Sequence, residues 1–320
     1  NDNTPKTIQF SVKANASNVI GTLQWTVPQG WKATCVQPNF TLKEKGEEVI
    51  IQVLVQPNGV ATNGKISATL KINTEIFPKS ITRIEYDHIP YQFILSDAEA
   101  NLVYINLKTA GKNIGYIPGA GDDVIACLKQ IGFTVTILTD DLLDKGNLKE
   151  YDAIVTGIRA YNTNDRLQIY YNTLMKYVEQ GGNLIVQYNT NNRIGPLLAK
   201  IGPYPFAISR ERVTNELADV RILNSKHSVF TYPNKIDSTD FNGWVQERGI
   251  YFAADIDPNY QTLLSINDPN EKANEGSLIV AKYGKGNFVY TGLVFFRELP
   301  AGVPGAYRLF VNLLSIPQNK

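Results

Sequence analysis

Gly181-Gly182-Asn183-Leu184-Ile185-Val186-Gln187-Tyr188-Asn189-Thr190 decides how this chain of 320 residues is read. A helical run over residues 174–180 ends on the two glycines, a short apolar strand follows, and the chain then breaks into an amide-rich loop over 189–192. That order predicts a helix-to-strand unit delivering polar side chains at the carboxyl end of a buried strand. In open α/β sheets, ligands bind at such strand ends.

Working outward, strand-like and helical runs alternate from Lys112 onward. Asn113-Ile114-Gly115-Tyr116-Ile117, Phe133-Thr134-Val135-Thr136-Ile137-Leu138 and Tyr151-Asp152-Ala153-Ile154-Val155-Thr156 read as strands, with amphipathic runs over 122–131 and 165–180 between and after them. Strands separated by helices predict right-handed crossovers and a mostly parallel sheet covered on both faces, an α/β domain over residues 91–320. Residues 1–90 follow a different pattern. Thr7-Ile8-Gln9-Phe10-Ser11-Val12, Gly21-Thr22-Leu23-Gln24-Trp25-Thr26-Val27, Val49-Ile50-Ile51-Gln52-Val53-Leu54-Val55 and Lys65-Ile66-Ser67-Ala68-Thr69-Leu70-Lys71-Ile72 alternate with period two, separated by Gly, Pro and Asn turns. They predict an immunoglobulin-like β-sandwich, with Trp25 and Trp31 in its core.

Composition narrows the partners. A net charge of +1 without a dense Lys/Arg cluster disfavours nucleic acid. No apolar run reaches the roughly 20 residues that cross a bilayer. The first residues, Asn1-Asp2-Asn3-Thr4-Pro5, show neither a signal peptide nor an initiator Met, which reads as processing or as part of a longer chain. Cys35 and Cys127 fall in different predicted domains and read as free thiols. His88, beside Pro90, has no second ligand at metal spacing, so no metal is expected. Pro118-Gly119-Ala120-Gly121-Asp122-Asp123 offers two glycines after the first α/β strand. The third glycine of a dinucleotide fingerprint would fall at Val124, and two aspartates occupy the place of pyrophosphate. Asp122 and Asp123 fit a helix cap better, and no cofactor is expected.

Three segments in order, the glycine-rich first loop, Tyr151-Asp152-Ala153-Ile154-Val155-Thr156-Gly157 and Tyr177-Val178-Glu179-Gln180-Gly181-Gly182-Asn183-Leu184-Ile185-Val186, resemble class I glutamine amidotransferase-like, flavodoxin-like folds. The branch nearest is the ThuA-like and β-galactosidase middle-domain type, whose His-containing loop Asn224-Ser225-Lys226-His227-Ser228-Val229-Phe230 resembles. That likeness implies a cysteine nucleophile after the strand at 183–188. Here the loop reads Gln187-Tyr188-Asn189-Thr190-Asn191, with no Cys, Ser or elbow glycine, so amidotransferase chemistry is not expected. Gly157-Ile158-Arg159-Ala160-Tyr161-Asn162-Thr163, Gly202-Pro203-Tyr204-Pro205-Phe206, Asp240-Phe241-Asn242-Gly243-Trp244-Val245-Gln246-Glu247-Arg248-Gly249 and the run from Phe296-Arg297-Glu298 to Tyr307-Arg308 resemble the C-terminal region of large bacterial PIG-L (LmbE-like) deacetylases. This resemblance implies a secreted or periplasmic accessory region, partnered by an N-terminal zinc deacetylase domain. The His-Pro-Asp-Asp signature of that domain is missing, so this chain by itself is not expected to deacetylate.

If the sheet is parallel, Arg159 and Tyr161 leave one strand and Gln187, Tyr188 and Asn189 the next, all at one rim. Trp244, Glu247, Arg248 and Arg297 join them as a candidate site. An aromatic face, planar donors and carboxylates together suit a glycan or another small polar ligand. Structural roles compete for each: Trp244 as core, Glu247 paired with Arg248 or Arg297, the amides as bridges. One alternative is a hydrolase using Glu247 with Glu298, or Asp240 with either, as a carboxylate pair, although the arginine neighbours at 248 and 297 would lower carboxylate pKa values. Another is a purely architectural module.

Overall fold

The computed structural model describes residues 3–60, 62–191 and 200–317. Asn192, the last residue of the amide-rich loop, lies outside them. The chain forms two compact units dividing between Asn106 and Leu107, later than the predicted boundary at residue 90.

The first unit carries ten strands: β1 (Lys6–Lys13), β2 (Val19–Thr26), β3 (Trp31–Thr34), β4 (Asn39–Leu42), β5 (Glu48–Pro57), β6 (Gly64–Ile72), β7 (Glu75–Phe77), β8 (Lys79–Ile84), β9 (Gln92–Asp97) and β10 (Glu99–Leu102). One antiparallel sheet has the order β1-β5-β3 and the other β10-β6-β2-β4, with β7 beside β6. Period-two alternation turns Ile51, Val53 and Val55 of β5 inward, where they meet Leu23, Phe40, Leu42, Ile66 and Ala68 of the second sheet in one core. Trp25 and Trp31 pack half-buried against that core, and Trp31 Nε1 donates to the Thr62 carbonyl at 2.8 Å. β8 and β9 form a separate hairpin.

The second unit begins as β11 (Asn113–Ile117), α1 (Val124–Gln130), β12 (Thr134–Ile137), α2 (Asp140–Lys145), β13 (Ala153–Thr156), α3 (Ala160–Thr163), α4 (Tyr171–Glu179) and β14 (Asn183–Gln187). It continues through short pieces: β15 (Ala207–Ile208), β16 (Arg212–Val213), β17 (Val220–Ile222), α5 (Ser228–Thr231), β18 (Gly249–Ile250), β19 (Ala253–Ala254), β20 (Tyr260–Thr262) and β21 (Leu264–Ile266). β22 (Leu278–Tyr283), β23 (Gly286–Thr291), α6 (Phe295–Ala301) and α7 (Pro304–Leu314) complete it. The principal sheet has the order β12-β11-β13-β14-β23-β22-β20. Pairings from β12 across to β23 are parallel, and β22 runs antiparallel to both β23 and β20.

This corrects the expected fold class. Strand occupies 36% of the residues against 18% for helix, so the protein is mostly β, with one mixed sheet and several small antiparallel ones, and the flavodoxin-like, mostly parallel α/β fold is overturned. Two causes are physical. Tyr283-Gly284-Lys285-Gly286 is a tight hairpin connection, with Gly284 at φ +59°, and it forces β22 and β23 antiparallel. Residues 207–266 form strands of two or three residues, too short to show any hydrophobic period.

Candidate functional site

β13, β14 and β23 lie side by side in the middle of the principal sheet, with Thr156 beside Val186 and Gln187 beside Thr291 across the registers. All three strands are buried along their whole length, and each delivers its following loop to the same rim. The loops after β13 and β14 are tied together. Arg159 N–H donates to the Tyr188 carbonyl at 2.8 Å, and Tyr161 N–H to Asn189 Oδ1 at 2.9 Å. In the reverse direction Thr190 N–H donates to Asn162 Oδ1 at 2.8 Å, while Asn162 Nδ2 donates to the Thr190 carbonyl at 3.1 Å. The amides of this loop therefore bind loop to loop.

The glycines of the first loop have a packing role. A Cβ on Gly119 would lie 2.1 Å from the Ile158 carbonyl oxygen, so only glycine lets the loops after β11 and β13 touch. Asp122 fixes that contact, accepting from Tyr116 Oη at 2.5 Å, Val124 N–H at 3.1 Å and Ile158 N–H at 3.1 Å. Burial, with the Asp122 carboxylate close by, holds the Tyr116 phenol well above its ordinary range.

Of the nine expected site residues, four reach the rim half-buried: Arg159, Tyr188, Glu247 and Arg297. Tyr188 stacks on Tyr251, ring centres 5.8 Å apart and 14° between planes, and meets Phe296 at 5.2 Å. The Arg297 guanidinium lies 4.9 Å from the Phe296 ring centre, and its Nε bonds Glu247 Oε1 at 3.0 Å. Burial raises the Tyr188 phenol, opposed by the positive charges of Arg159 and Arg297. Tyr251 and Phe296 are members that sequence reasoning missed. Nothing in the sequence marks Tyr251, whereas Phe296 stands directly before Arg297.

The other five do not form the contact surface. Gln187 is 1% exposed, Asn189 0% and Tyr161 3%, so they support the rim from beneath. Trp244 and Arg248 belong to a separate core and are removed from the site. Trp244 is buried against Phe241 and Phe295 and donates to the Asp240 carbonyl at 3.0 Å. Arg248 is buried with its guanidinium donating to the carbonyls of Ala218 and Phe241.

The carboxylates are engaged in structural bonds. Asp240 is ion-paired with Arg308 and accepts from Asp237 N–H at 2.9 Å. Glu298 is fully buried and accepts from Val245 N–H at 3.0 Å. Its carboxyl is pushed up to about 8 by desolvation, which outweighs Arg248 and Arg297 and reverses the expected direction of shift. Both cysteines are free thiols, Cys127 buried. His227 caps α5, its Nδ1 accepting from Val229 N–H at 3.2 Å. Among the described residues no group of three His, Cys, Asp or Glu is placed to hold a metal ion, and no helix is long and apolar enough to cross a membrane.

Two kinds of local cost concentrate at this rim. The buried side-chain polar atoms lacking a partner, among the described residues, are Thr156 Oγ1, Arg159 Nε, Gln187 Oε1, Thr190 Oγ1 and Ser277 Oγ. Four follow or end β13 and β14, and Ser277 sits where β22 begins beside Thr291, the end of β23. The second cost is backbone strain. Positive φ outside glycine occurs at Asn18, Asn73, Asp255 and Asn270, types that tolerate it, and at Arg159 (56°), Gln246 (69°) and Tyr251 (58°), which do not. All three of these flank the Tyr188 ring or its ion pair.

No family model and no curated protein matches the chain. Among solved structures, a β-galactosidase from a Rahnella species is 14% identical at a TM-score of 0.39, over 66% of this chain and 32% of that one. A cytoplasmic protein of Salmonella typhimurium is 14% identical at 0.40, over 64% and 97%. A β-galactosidase from Bacillus circulans is 10% identical at 0.37, over 65% and 31%. The chain spans about a third of the length of the β-galactosidases it matches. Likenesses this low assign neither fold nor activity.

Proposed function

We propose that the rim after β13, β14 and β23 is a non-catalytic binding site for a glycan. The observation that carries this reading is the half-buried Tyr188-Tyr251-Phe296 surface flanked by Arg159 and by the Arg297-Glu247 pair. Sugars present apolar ring faces to aromatics and dense hydroxyls to planar donors and carboxylates, and this surface offers all three. A hydrolase on the same rim is disfavoured, because Asp240 and Glu298 are committed to an ion pair and a buried backbone bond. The motifs shared with the C-terminal region of PIG-L deacetylases support an accessory role beside an N-deacetylase domain, in a secreted or periplasmic protein.

A glycan array followed by calorimetry tests the reading. The protein is expected to bind at least one glycan class, and Tyr251→Ala is expected to weaken that binding about 10-fold or more, as loss of a central aromatic contact does. If no glycan on the array is bound, the reading is wrong.

A further inference from the structure

We infer that the ligand of this rim is an acidic sugar, whose single anionic group is taken by Arg159; the inference rests on the glycan-binding reading. Arg159 differs from every other buried or half-buried arginine described in the second unit. Arg248 spends its guanidinium on two backbone carbonyls, Arg297 is held by Glu247, and Arg308 by Asp240. Among the described residues the Arg159 guanidinium has no side-chain or carbonyl partner, and its Nε is buried without one. A guanidinium stays charged at every physiological pH, so this is a permanent cation with a desolvated donor and, among the described residues, no paired carboxylate.

The placement is also enforced. Arg159 stands at φ 56°, a left-handed conformation in which any Cβ is disfavoured, and its N–H is pinned to the Tyr188 carbonyl. Arg159, Arg297 and Glu247 are the charged groups acting on the Tyr188 phenol. Glu216 is engaged beside the rim, accepting from Gln246 N–H at 2.5 Å. Among the described residues at the Tyr188 ring, Glu247 pairs with Arg297 and Arg159 is left without a carboxylate partner. A singly charged oxyanion matches it in charge and in the fork geometry of guanidinium, which favours a uronate carboxylate or a sulfate ester over a phosphate monoester of charge near −2. The Tyr188-Tyr251 stack then faces the sugar ring that bears this group.

Calorimetry on the full chain with three sets of oligosaccharides tests this: neutral, uronic-acid and sulfated, matched in length. The expected result is binding of at least one acidic set at least 10-fold tighter than the neutral set, weakening as salt is raised from 50 to 500 mM. Arg159→Gln is expected to remove that preference, costing roughly 10- to 100-fold for the acidic set and far less for the neutral one. Arg159→Lys keeps the charge without the fork and should recover only part of it. Whichever acidic set binds tighter identifies the anion. Neutral and acidic sets binding equally, or an acidic preference that survives Arg159→Gln, would overturn the inference while leaving the glycan reading standing. Failure of all three sets to bind would overturn both, and circular dichroism of each variant separates loss of binding from loss of fold.

Discussion

Between pH 5 and pH 8.5 the second unit is expected to lose about 3–5 kcal/mol of stability, and Glu298→Gln is expected to abolish most of that loss. Glu298 is fully buried, and desolvation lifts its carboxyl from an ordinary 4.5 to about 8. Below pH 4.5 the folded and unfolded chains both carry the proton, so the group costs nothing. As pH rises from 4.5 to 8 the unfolded chain releases its proton and the folded chain does not, so stability falls. Above 8 both are ionised and the full cost is present. Glutamine keeps an acceptor for Val245 N–H without a charge to bury. Urea unfolding at the two pH values checks this, and a variant that declines in parallel with wild type would show that Glu298 is not the source. The effect reaches the rim, because Val245 is followed directly by the strained Gln246 and by Glu247.

Arg159→Gly is expected to move stability and binding in opposite directions. Glycine at φ 56° relieves a backbone cost of about 1–2 kcal/mol, partly offset by the greater freedom of glycine in the unfolded chain. Among the described residues the arginine guanidinium has no partner whose loss would cancel the gain. A rise of about 1 kcal/mol in unfolding free energy, together with at least a 10-fold loss of ligand affinity, is the expected outcome. It is the signature of a residue kept for function at the expense of stability. A destabilised variant, or a stabilised one that still binds fully, would contradict the role given to Arg159.

The strand ends were legible because β11, β13 and β14 are apolar, bounded by glycines and separated by helical runs. Parallel pairing brings Arg159 and Tyr188 to one rim, as their strand-following positions predict. What stayed hidden is the region between residues 207 and 266, where strands of two or three residues pair antiparallel with partners some 30 to 50 positions away. Such pairings leave no local period, and they turned a predicted parallel α/β fold into a mostly β one. Tyr251 was lost for the same reason, standing alone between β18 and β19. Trp244 and Arg248 misled in the other direction. An aromatic next to charges resembles a binding platform in sequence, but here the indole fills a core and the guanidinium satisfies carbonyls that would otherwise be buried unpaired. The Asn189 amide suits a ligand donor in sequence, yet Asn189 and Asn162 are consumed in holding two loops together.

Backbone hydrogen–deuterium exchange, measured with and without a glycan identified on the array, tests the central claim most directly. Ligand is expected to slow exchange in residues 157–163, 188–191, 245–252 and 294–298, which carry Arg159, Tyr188, Glu247, Tyr251 and Arg297. Protection confined to the first unit, or to the opposite end of the principal sheet, would contradict a binding site at this rim.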